Sequence, residues 1–408
     1  MESQEVDFSV LMARQPVIDR EKNSHAYNLL YQDDQGEFIP LLANNRKTAQ
    51  ALLNRFASLP ADRAIEEGRK RVFINIHPEL LKQGMLPDIL YPAIIVEVEN
   101  PNEEQSEKLL KLKKKYSSFQ YCLDHFQKHL YSDELIEKAA YIKYDQANKD
   151  INFNKKQHPK LKSFYGKLIA TNLQTPESYR QSFEQGFDLF QGDFLIKPEI
   201  SNAELLSGNA QSTLLLLSEL YNPDTTPEKI ERTIVSDTEL TTQLLRLINS
   251  AAFGFAREIN SIKEAIVFLG LSSLKKWVSL LILSAHSHKS PELVNINLTR
   301  AAFCKELAIL LESADPDQAF LMGIMSMIDV YLDWPLDQIL TDLPLSETIN
   351  SALLKAEGPL GDILTSACNY EQSNWQNLQH HQLDQSVWSQ IYQNALIWSQ
   401  ETLSLIPQ

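Results

Sequence analysis

The sequence predicts an α/β domain followed by an all-α domain. Up to about Pro198, eight short apolar runs alternate with helical stretches, which is typical of parallel strands joined by crossover helices. Beyond residue 200, apolar residues recur at helical spacing. The charge is divided in the same way, with 27 Lys and Arg against 29 Asp and Glu in residues 1–199 and 11 against 24 in residues 200–408. We therefore predict domains at residues 1–199 and 200–408.

Composition disfavours several classes of protein. A chain of 408 residues with 43% hydrophobic residues can form two domains with full cores. Apolar runs fall short of the ~20 residues of a membrane span, and the acidic, polar N-terminus is no secretory signal, so we expect a cytoplasmic protein without a membrane partner. The net charge of −15 disfavours non-specific binding to nucleic acid. Cys122, Cys304 and Cys368 lie far apart and are expected to be buried, unreactive thiols.

The first domain contains eight predicted strands and three predicted helices. Its length of about 200 residues is short for a complete eight-fold barrel of ~250 residues. The pattern therefore predicts either a mainly parallel sheet or a shortened (β/α) barrel. The strands are Ser9–Ala13, His25–Tyr31, Val72–Ile76, Ile94–Val98, Tyr121–Leu123, Tyr141–Tyr144, Leu168–Ala170 and Leu189–Leu195, and the helices are Thr48–Ala57, Glu104–Tyr116 and Pro176–Glu184.

Polar residues follow several of these strands at their C-terminal ends. Asn75, Glu97 and Asp124 end the third, fourth and fifth strands, and Lys143 and Asp145 end the sixth. In a barrel these strand ends surround the mouth where active sites are found. Carboxylate and amide oxygens suit Mg²⁺ or Mn²⁺, and a lysine suits a phosphate. Any one of these residues could simply be a polar strand end that meets solvent. The series as a whole favours a remnant site for a metal and a phosphate at the barrel mouth.

This half resembles the EAL domain, the Mg²⁺-dependent phosphodiesterase fold that opens the bacterial second messenger cyclic di-GMP. The segments AYNLLYQ, FINIHPELL, IIVEVEN, YCLDHF, YIKYD, KLIATNLQT and FQGDFLIKP stand in the order of the family's motifs. The opening ARQPVID is similar to that of EAL domains that precede HDOD domains. The resemblance implies metal ligands at Asn75, Glu97 and Asp124, the family's lysine-aspartate pair at Lys143 and Asp145, and its late glutamine at Gln191.

Five positions depart from the pattern that the resemblance implies. Asn28 replaces the glutamate of the Glu-Ala-Leu signature, Gln32 replaces a phosphate-binding arginine, and His125 replaces the second aspartate of the double-aspartate loop. Thr171 replaces the general-base glutamate, and Gln174 replaces a later glutamate. An amide supplies no negative charge, and a threonine hydroxyl needs an activating partner to act as a base. We therefore expect a remnant site with no catalytic residue and no bound metal or other cofactor.

The stretch between residues 236 and 278 predicts three short amphipathic helices in the second domain. The first two begin with capping-box spacings, Ser236 with Glu239 and Ser261 with Glu264. Gly270 is placed to end the second helix, and Ser272 can cap the third. The asparagine-serine break after the first helix, the Phe-Gly pair and the LGL turn resemble the signature of the HDOD domain. That family is a helical relative of the HD phosphohydrolases and implies a non-enzymatic signalling module.

The rest of the second half also predicts helices. No His-Asp dipeptide occurs in the chain, and His286 with His288, or His380 with His381, are not spaced to share a helical face, so no metal site is expected among them. Lys275 and Lys276 are expected on the solvated side of a helix. Met322, Met325 and Met327 are expected in the core. The predicted helices are Gln211–Leu220, one starting at Pro227 after the N-cap Thr226, Thr299–Leu311, Asp317–Val330, Leu345–Lys355, Leu360–Tyr370 and Asp384–Leu403.

The likeness to EAL–HDOD two-domain bacterial signalling proteins of the YuxH-like type covers nearly the whole chain. It implies a non-enzymatic signalling scaffold that binds other signalling proteins, in control of motility or biofilm linked to cyclic di-GMP. The alternative is a cyclic di-GMP receptor or a weak Mg²⁺-dependent phosphodiesterase, because Asn75, Glu97, Asp124 and Lys143 are kept. A DNA-binding regulator is a third, less favoured hypothesis, and a homodimer stays open.

Overall fold

The structure is a computed structural model, and it describes residues 11–32, 71–75, 92–124, 131–146, 161, 164–200, 208–222, 224–249, 257–285, 289–378 and 383–404. The predicted helix at Thr48–Ala57 lies outside these residues. The chain forms two compact units: residues 1–195 with 371–376 and 383–389, and residues 196–370 with 377–382 and 390–408. The domain boundary at residues 199 and 200 stays a prediction.

The first unit contains a closed barrel of eight strands in sequential order. The strand β1 is antiparallel to both β2 and β8, and all other neighbouring strands are parallel. The predicted barrel is confirmed. The strands are β1 Leu11–Ile18, β2 Ser24–Gln32, β3 Arg71–Asn75, β4 Ile94–Glu99, β5 Tyr121–Asp124, β6 Tyr141–Asp145, β7 Lys167–Thr171 and β8 Leu189–Gln191.

Two predicted strands differ from the structure by more than one residue at an end. The first was expected at Ser9–Ala13, but β1 continues to Ile18, with Pro16 opposite Tyr27 and a register shift between Val17 and Ile18. A proline inside an apolar run argues against a strand, because it has no N–H to donate to the neighbouring strand. The last was expected to reach Leu195, but β8 ends at Gln191. The following residues, Asp193–Ile196, form a 3₁₀ helix instead.

The interior of the barrel holds an apolar layer with one residue from each strand. Successive side chains along a strand point to opposite faces, so a closed barrel separates inward from outward residues. Because every strand contributes one member to the cluster, the cluster lies inside the barrel. We define the apolar layer as Val17, Ala26, Phe73, Ile95, Cys122, Tyr141, Ile169 and Leu189, all of which are buried.

Helices cover the outward faces of the strands. Three of them are described: α1 Glu103–Lys115, α2 Asp133–Lys138 and α3 Pro176–Glu184. The side chains of Asn102 and Thr175 cap α1 and α3, and each helix has an acidic residue in its first turn. A second apolar cluster includes outward strand residues such as Val96 and Ile142 and the helix residue Leu109.

The remaining described chain is helical, as predicted, although several bounds differ. The helix predicted from Thr299 begins at Pro291, and the helix predicted over Asp317–Val330 is interrupted at Ser326–Met327. The helices are α4 Gly208–Tyr221, α5 Pro227–Val235, α6 Thr238–Ile248, α7 Ile262–Ala285, α8 Pro291–Leu311, α9 Pro316–Met325, α10 Ile328–Leu332, α11 Leu336–Asp342, α12 Glu347–Lys355, α13 Gly358–Glu371 and α14 Gln385–Leu403.

The breaks between α5, α6 and α7 have clear physical causes. Thr226 caps α5, as predicted, but the predicted cap Ser236 is wrong: Asp237 caps α6 by accepting from the Leu240 N–H at 2.9 Å, and Ser236 lies at the end of α5. The Ser261 hydroxyl accepts from the Glu264 N–H at 3.1 Å. Gly270 has φ 76° and breaks α7 into two segments, at the position where a helix end was predicted.

Asn249 fixes the chain that leaves α6. Its amide donates to the Ile259 carbonyl at 2.8 Å and its Oδ1 accepts from the Ile259 N–H at 2.7 Å. These two bonds satisfy both backbone groups of Ile259 across ten residues. The loop between them lies mostly outside the described residues, but its two ends are held together by this one side chain.

The methionines and two of the cysteines are in the core, as expected. Met322, Met325 and Met327 are buried, and so are Cys122 and Cys304, whereas Cys368 is only partly buried. The expectation of a solvated Lys276 is wrong, because this side chain is buried and ion-paired with Asp317. His286, His288, His380 and His381 lie outside the described residues.

Within the described chain, the segment Ile262–Leu283 of α7 is long and apolar enough to span a membrane, and a bent pair of segments, Pro316–Leu332 with Leu336–Asp342, passes the same criterion. However, Gly270 interrupts α7, and Leu274, Val278 and Leu281 are buried in the helical core. The core helix of a soluble protein passes the same test of length and composition, so these segments are weak evidence for a membrane span.

We expect Asn249→Ala to lower the free energy of unfolding of the helical unit by about 1–2 kcal/mol, because two backbone partners lose their hydrogen bonds. Hydrogen exchange of the Ile259 amide should accelerate, and the urea midpoint of the full-length chain should fall. Asn260→Ala is the matched control, since that side chain bonds only the nearby Glu258 carbonyl at 3.3 Å. Equal effects of the two substitutions would contradict the role assigned to Asn249.

Candidate functional site

A polar layer lies directly above the apolar layer, towards the C-terminal ends of the parallel strands. Each member is two residues from an apolar-layer residue on the same strand, so it points to the same face of the sheet. From β2 to β8 the pairs run from Ala26 to Asn28 through to Leu189 and Gln191. We define the polar layer as Gln15, Asn28, Asn75, Glu97, Asp124, Lys143, Thr171 and Gln191.

Seven of these eight residues were predicted from the sequence. Gln15 was missed, because β1 was expected to end at Ala13. The sequence does contain a signal for Gln15: in the segment RQPVI it precedes Val17 by two residues. Since Val17 points into the barrel, Gln15 on the same antiparallel strand points to the same face. Asp145 and Glu99 lie one step further out, towards the rim of the barrel, on β6 and β4.

The centre of the polar layer is the buried ammonium of Lys143. It forms an ion pair with the Glu97 carboxylate and donates to Asn28 Oδ1 at 3.2 Å. The side chains of Lys143 and Glu97 are only 3% and 4% exposed. Three strands that are far apart in the chain, β2, β4 and β6, therefore meet at one charged contact. A buried charge is tolerated only when it is paired in this way.

The charge of Lys143 is maintained by its neighbours. Burial alone would lower the pKa of the ammonium, but the nearby carboxylates of Glu97 and Asp124 raise the pKa above its ordinary value. The cation also lies 5.0 Å from the ring centroid of Phe73 in the apolar layer. Lys143 thus stays positive at neutral pH. Burial likewise raises the pKa of the Cys122 thiol, which favours its neutral form.

A second set of polar side chains links the first strand of the barrel, β1, with the last strand, β8, and the residues just after it. Gln191 on β8 donates to Gln15 Oε1 at 2.8 Å, and the Gln15 amide donates to Asp193 Oδ1 at 3.2 Å. The Gln191 Oε1 atom is buried and has no hydrogen-bond donor among the described residues. An acceptor of this kind at a barrel mouth is suited to a ligand donor or a cation.

The structure also places the remaining predicted residues. The Thr171 hydroxyl donates to the Tyr144 carbonyl at 3.1 Å, and Thr171 stands opposite Asp145 in the register of β6 and β7. Gln174 is exposed and donates to the side chain of Asn172 at 2.8 Å. It is therefore not part of the polar layer. Gln32 is the last residue of β2, and His125 lies outside the described residues.

The donor set does not fit a pair of divalent cations. Asn75, Glu97 and Asp124 supply oxygen ligands from three consecutive strands, but Glu97 is held by Lys143 and Asn28 is neutral. Among the described residues, no group of three or more His, Cys, Asp or Glu side chains is arranged to hold a metal. Asn75, Glu97 and Asp124 would offer oxygen ligands to at most one hard cation, and that cation would compete with the Lys143 ammonium for Glu97.

Comparison with known proteins confirms the predicted resemblance. Residues 210–330 match the HDOD domain. The chain is 29% identical over 413 residues to "Cyclic di-GMP phosphodiesterase CdgJ" of Vibrio cholerae, covering 98% of this chain and 94% of that protein. It is 28% identical over 403 residues to "Uncharacterized protein YuxH" of Bacillus subtilis, covering 95% and 98%. A solved phosphodiesterase, PaMucR in complex with c-di-GMP, covers 47% of this chain and 92% of that chain at 13% identity and a TM-score of 0.35.

The second unit thus carries an HDOD domain, and the chain as a whole resembles two-domain proteins linked to cyclic di-GMP. The expectation of a non-enzymatic protein is contradicted, because CdgJ is named as an enzyme and is similar over 98% of this chain. That expectation inferred loss of activity from Asn28 and Thr171, which replace two glutamates of the EAL family, and from the lack of a His-Asp dipeptide. Protein partners stay a prediction.

Glu97→Gln is expected to lower the free energy of unfolding by about 3–5 kcal/mol, since it leaves the buried Lys143 ammonium without an anion. Glu99→Gln, on the same strand but exposed, is the matched control and should change it by less than about 0.5 kcal/mol. Urea unfolding of the full-length chain measures both. The double variant Glu97→Gln/Lys143→Met should recover most of the loss, and failure to recover it would argue against the ion pair as the cause.

Proposed function

We propose that the chain is a slow, divalent-cation-dependent cyclic di-GMP phosphodiesterase that binds the dinucleotide at the C-terminal mouth of its barrel. The observation that carries the proposal is the polar layer, in which Asn75, Glu97, Asp124 and Lys143 stand together at that end. Oxygen ligands beside a lysine are what a phosphodiester and its cation require. The name of the relative CdgJ, which matches along nearly the whole chain, supports the same activity.

In the proposed reaction, water adds across one phosphodiester bond. The water oxygen bonds to phosphorus, the bond from phosphorus to one ribose oxygen breaks, and that oxygen leaves with a proton. Because the substrate is cyclic, the reaction gives one product, a linear dinucleotide. A divalent cation at Asn75, Glu97 and Asp124 would supply Lewis-acid charge to the phosphate. The Lys143 ammonium would bind a phosphate oxygen, and Gln191 Oε1 would accept a hydrogen bond from the nucleotide.

Asp145 is the residue that we assign as proton acceptor. Its carboxylate stands on the strand next to Thr171, the position at which the EAL family has its general base. Thr171 cannot take this role, because its hydroxyl donates to the Tyr144 carbonyl and, within the described chain, makes no hydrogen bond to a basic side chain that would activate it. A carboxylate displaced from the best position can still accept the proton, at a lower rate.

The proposal also explains why the rate is low. Lys143 and a cation both require the Glu97 carboxylate, so cation binding must displace a buried ion pair. Asn28 contributes an amide oxygen, already bonded to Lys143, in place of a negative charge. We therefore expect activity to rise with Mn²⁺ or Mg²⁺ into the millimolar range and to disappear with a chelator, measured as linear dinucleotide by chromatography.

Thr171→Glu should raise kcat for cyclic di-GMP by about 10²-fold or more, because it restores a carboxylate at the general-base position. Asp145→Asn should abolish the activity of the parent chain, and the double variant Thr171→Glu/Asp145→Asn should regain it. Thr175→Glu is a matched control, since Thr175 is exposed and serves only to cap α3. A Thr171→Glu variant no faster than the parent would contradict this assignment of the proton acceptor.

A further inference from the structure

A cavity of about 470 Å³ lies within the helical unit and is lined by residues of α7, α8, α9 and α14. One wall consists of three aromatic rings. Trp277 and Trp398 have ring centroids 5.7 Å apart, and Phe320 lies 5.7 Å from Trp398 and 6.2 Å from Trp277. The volume is within the roughly 300–1,000 Å³ of small-molecule sites in proteins. Nothing in the proposed reaction of the barrel uses these residues.

Two of the four charged residues lining this cavity are already paired. The buried Lys276 ammonium forms an ion pair with Asp317, whose side chain is 49% exposed. Lys276 also lies 5.8 Å from the ring centroid of Phe320. Since an ammonium already faces the aromatic wall, a second cation would be repelled there. The Lys276 ammonium therefore disfavours a cationic group over the aromatic wall, although the ion pair as a whole is neutral.

The other two charged residues have no ion-pair partner within the described chain. Lys305 and Glu306 are consecutive residues of α8, both half-buried and both lining the cavity. Within the part of the chain that the structure describes, neither makes an ion pair or a side-chain hydrogen bond. The cavity thus offers one positive and one negative group beside an apolar aromatic wall. A ligand that complements it carries both signs of charge and an apolar group.

We propose that this cavity binds a free amino acid with an aromatic or large aliphatic side chain. The carboxylate of the ligand pairs with Lys305, its ammonium pairs with Glu306, and its side chain packs against Trp277, Phe320 and Trp398. A ligand with only an anionic group leaves Glu306 unmatched beside it. A ligand with neither charge leaves both groups partly desolvated without compensation. The zwitterion alone satisfies all the groups.

The test uses the full-length chain and isothermal titration calorimetry with four probes. L-phenylalanine carries every feature; 3-phenylpropionate lacks the ammonium, 2-phenylethylamine lacks the carboxylate, and glycine lacks the side chain. We expect L-phenylalanine to bind at least about tenfold more tightly than each of the other three, as expected for loss of one charged or apolar contact. Binding of L-phenylalanine that is no tighter than that of the analogues would overturn the proposal, and so would no binding at all.

Charge-specific variants identify the orientation of the ligand. Lys305→Met should remove the advantage of L-phenylalanine over 2-phenylethylamine and keep its advantage over 3-phenylpropionate. Glu306→Gln should have the converse effect. Lys275→Met is the matched control, because Lys275 lies on α7 next to Lys276 but does not line this cavity. An equal loss of affinity in all three variants would overturn the proposal, and circular dichroism checks that each remains folded.

Discussion

The contact between the Lys143 ammonium, the Glu97 carboxylate and the Asn28 amide is the interaction on which the barrel mouth depends. A charge this deeply buried would be costly alone, so the three strands that carry these residues must keep their register. The apolar layer below sets that register, because a slip of one residue would exchange the inward and outward faces of a strand. Each polar-layer residue is two positions from an apolar-layer residue on the same strand, so it points into the barrel wherever the strand is long enough to include it.

The same contact limits the chemistry. Glu97 is the carboxylate that a cation would use most directly, and Lys143 already neutralises it. A chain with a glutamate at position 28 would have a second anion to share between the lysine and the metal. With Asn28 there, stability and cation binding compete for one carboxylate. We infer that this competition, rather than loss of the barrel mouth itself, would set the level of the proposed activity.

The sequence predicted the barrel well because its signals are local. The polar strand ends indicated four of the polar-layer residues, Asn75, Glu97, Asp124 and Lys143. The resemblance to the EAL family indicated three more, Asn28, Thr171 and Gln191. The pairing of Asn28 with Lys143 could not be predicted from local pattern, since the two are 115 residues apart and meet only when the barrel closes. The start of α8 was missed for another reason. Its first turns are buried on all sides and carry Asn295, Asn297 and Thr299, whose side chains bond inside the core, so no amphipathic pattern is visible.

Function was harder to predict than fold. Asn28 and Thr171 stand where the EAL family has glutamates, and the sequence alone does not say by how much these replacements lower the catalytic rate. The most direct measurement of the central claim is a single-turnover assay, with the full-length chain in excess over cyclic di-GMP and increasing Mn²⁺. We predict that linear dinucleotide accumulates faster at each higher Mn²⁺ concentration and that Asp124→Asn forms none. Equal amounts of product with the parent chain and with Asp124→Asn would contradict the account.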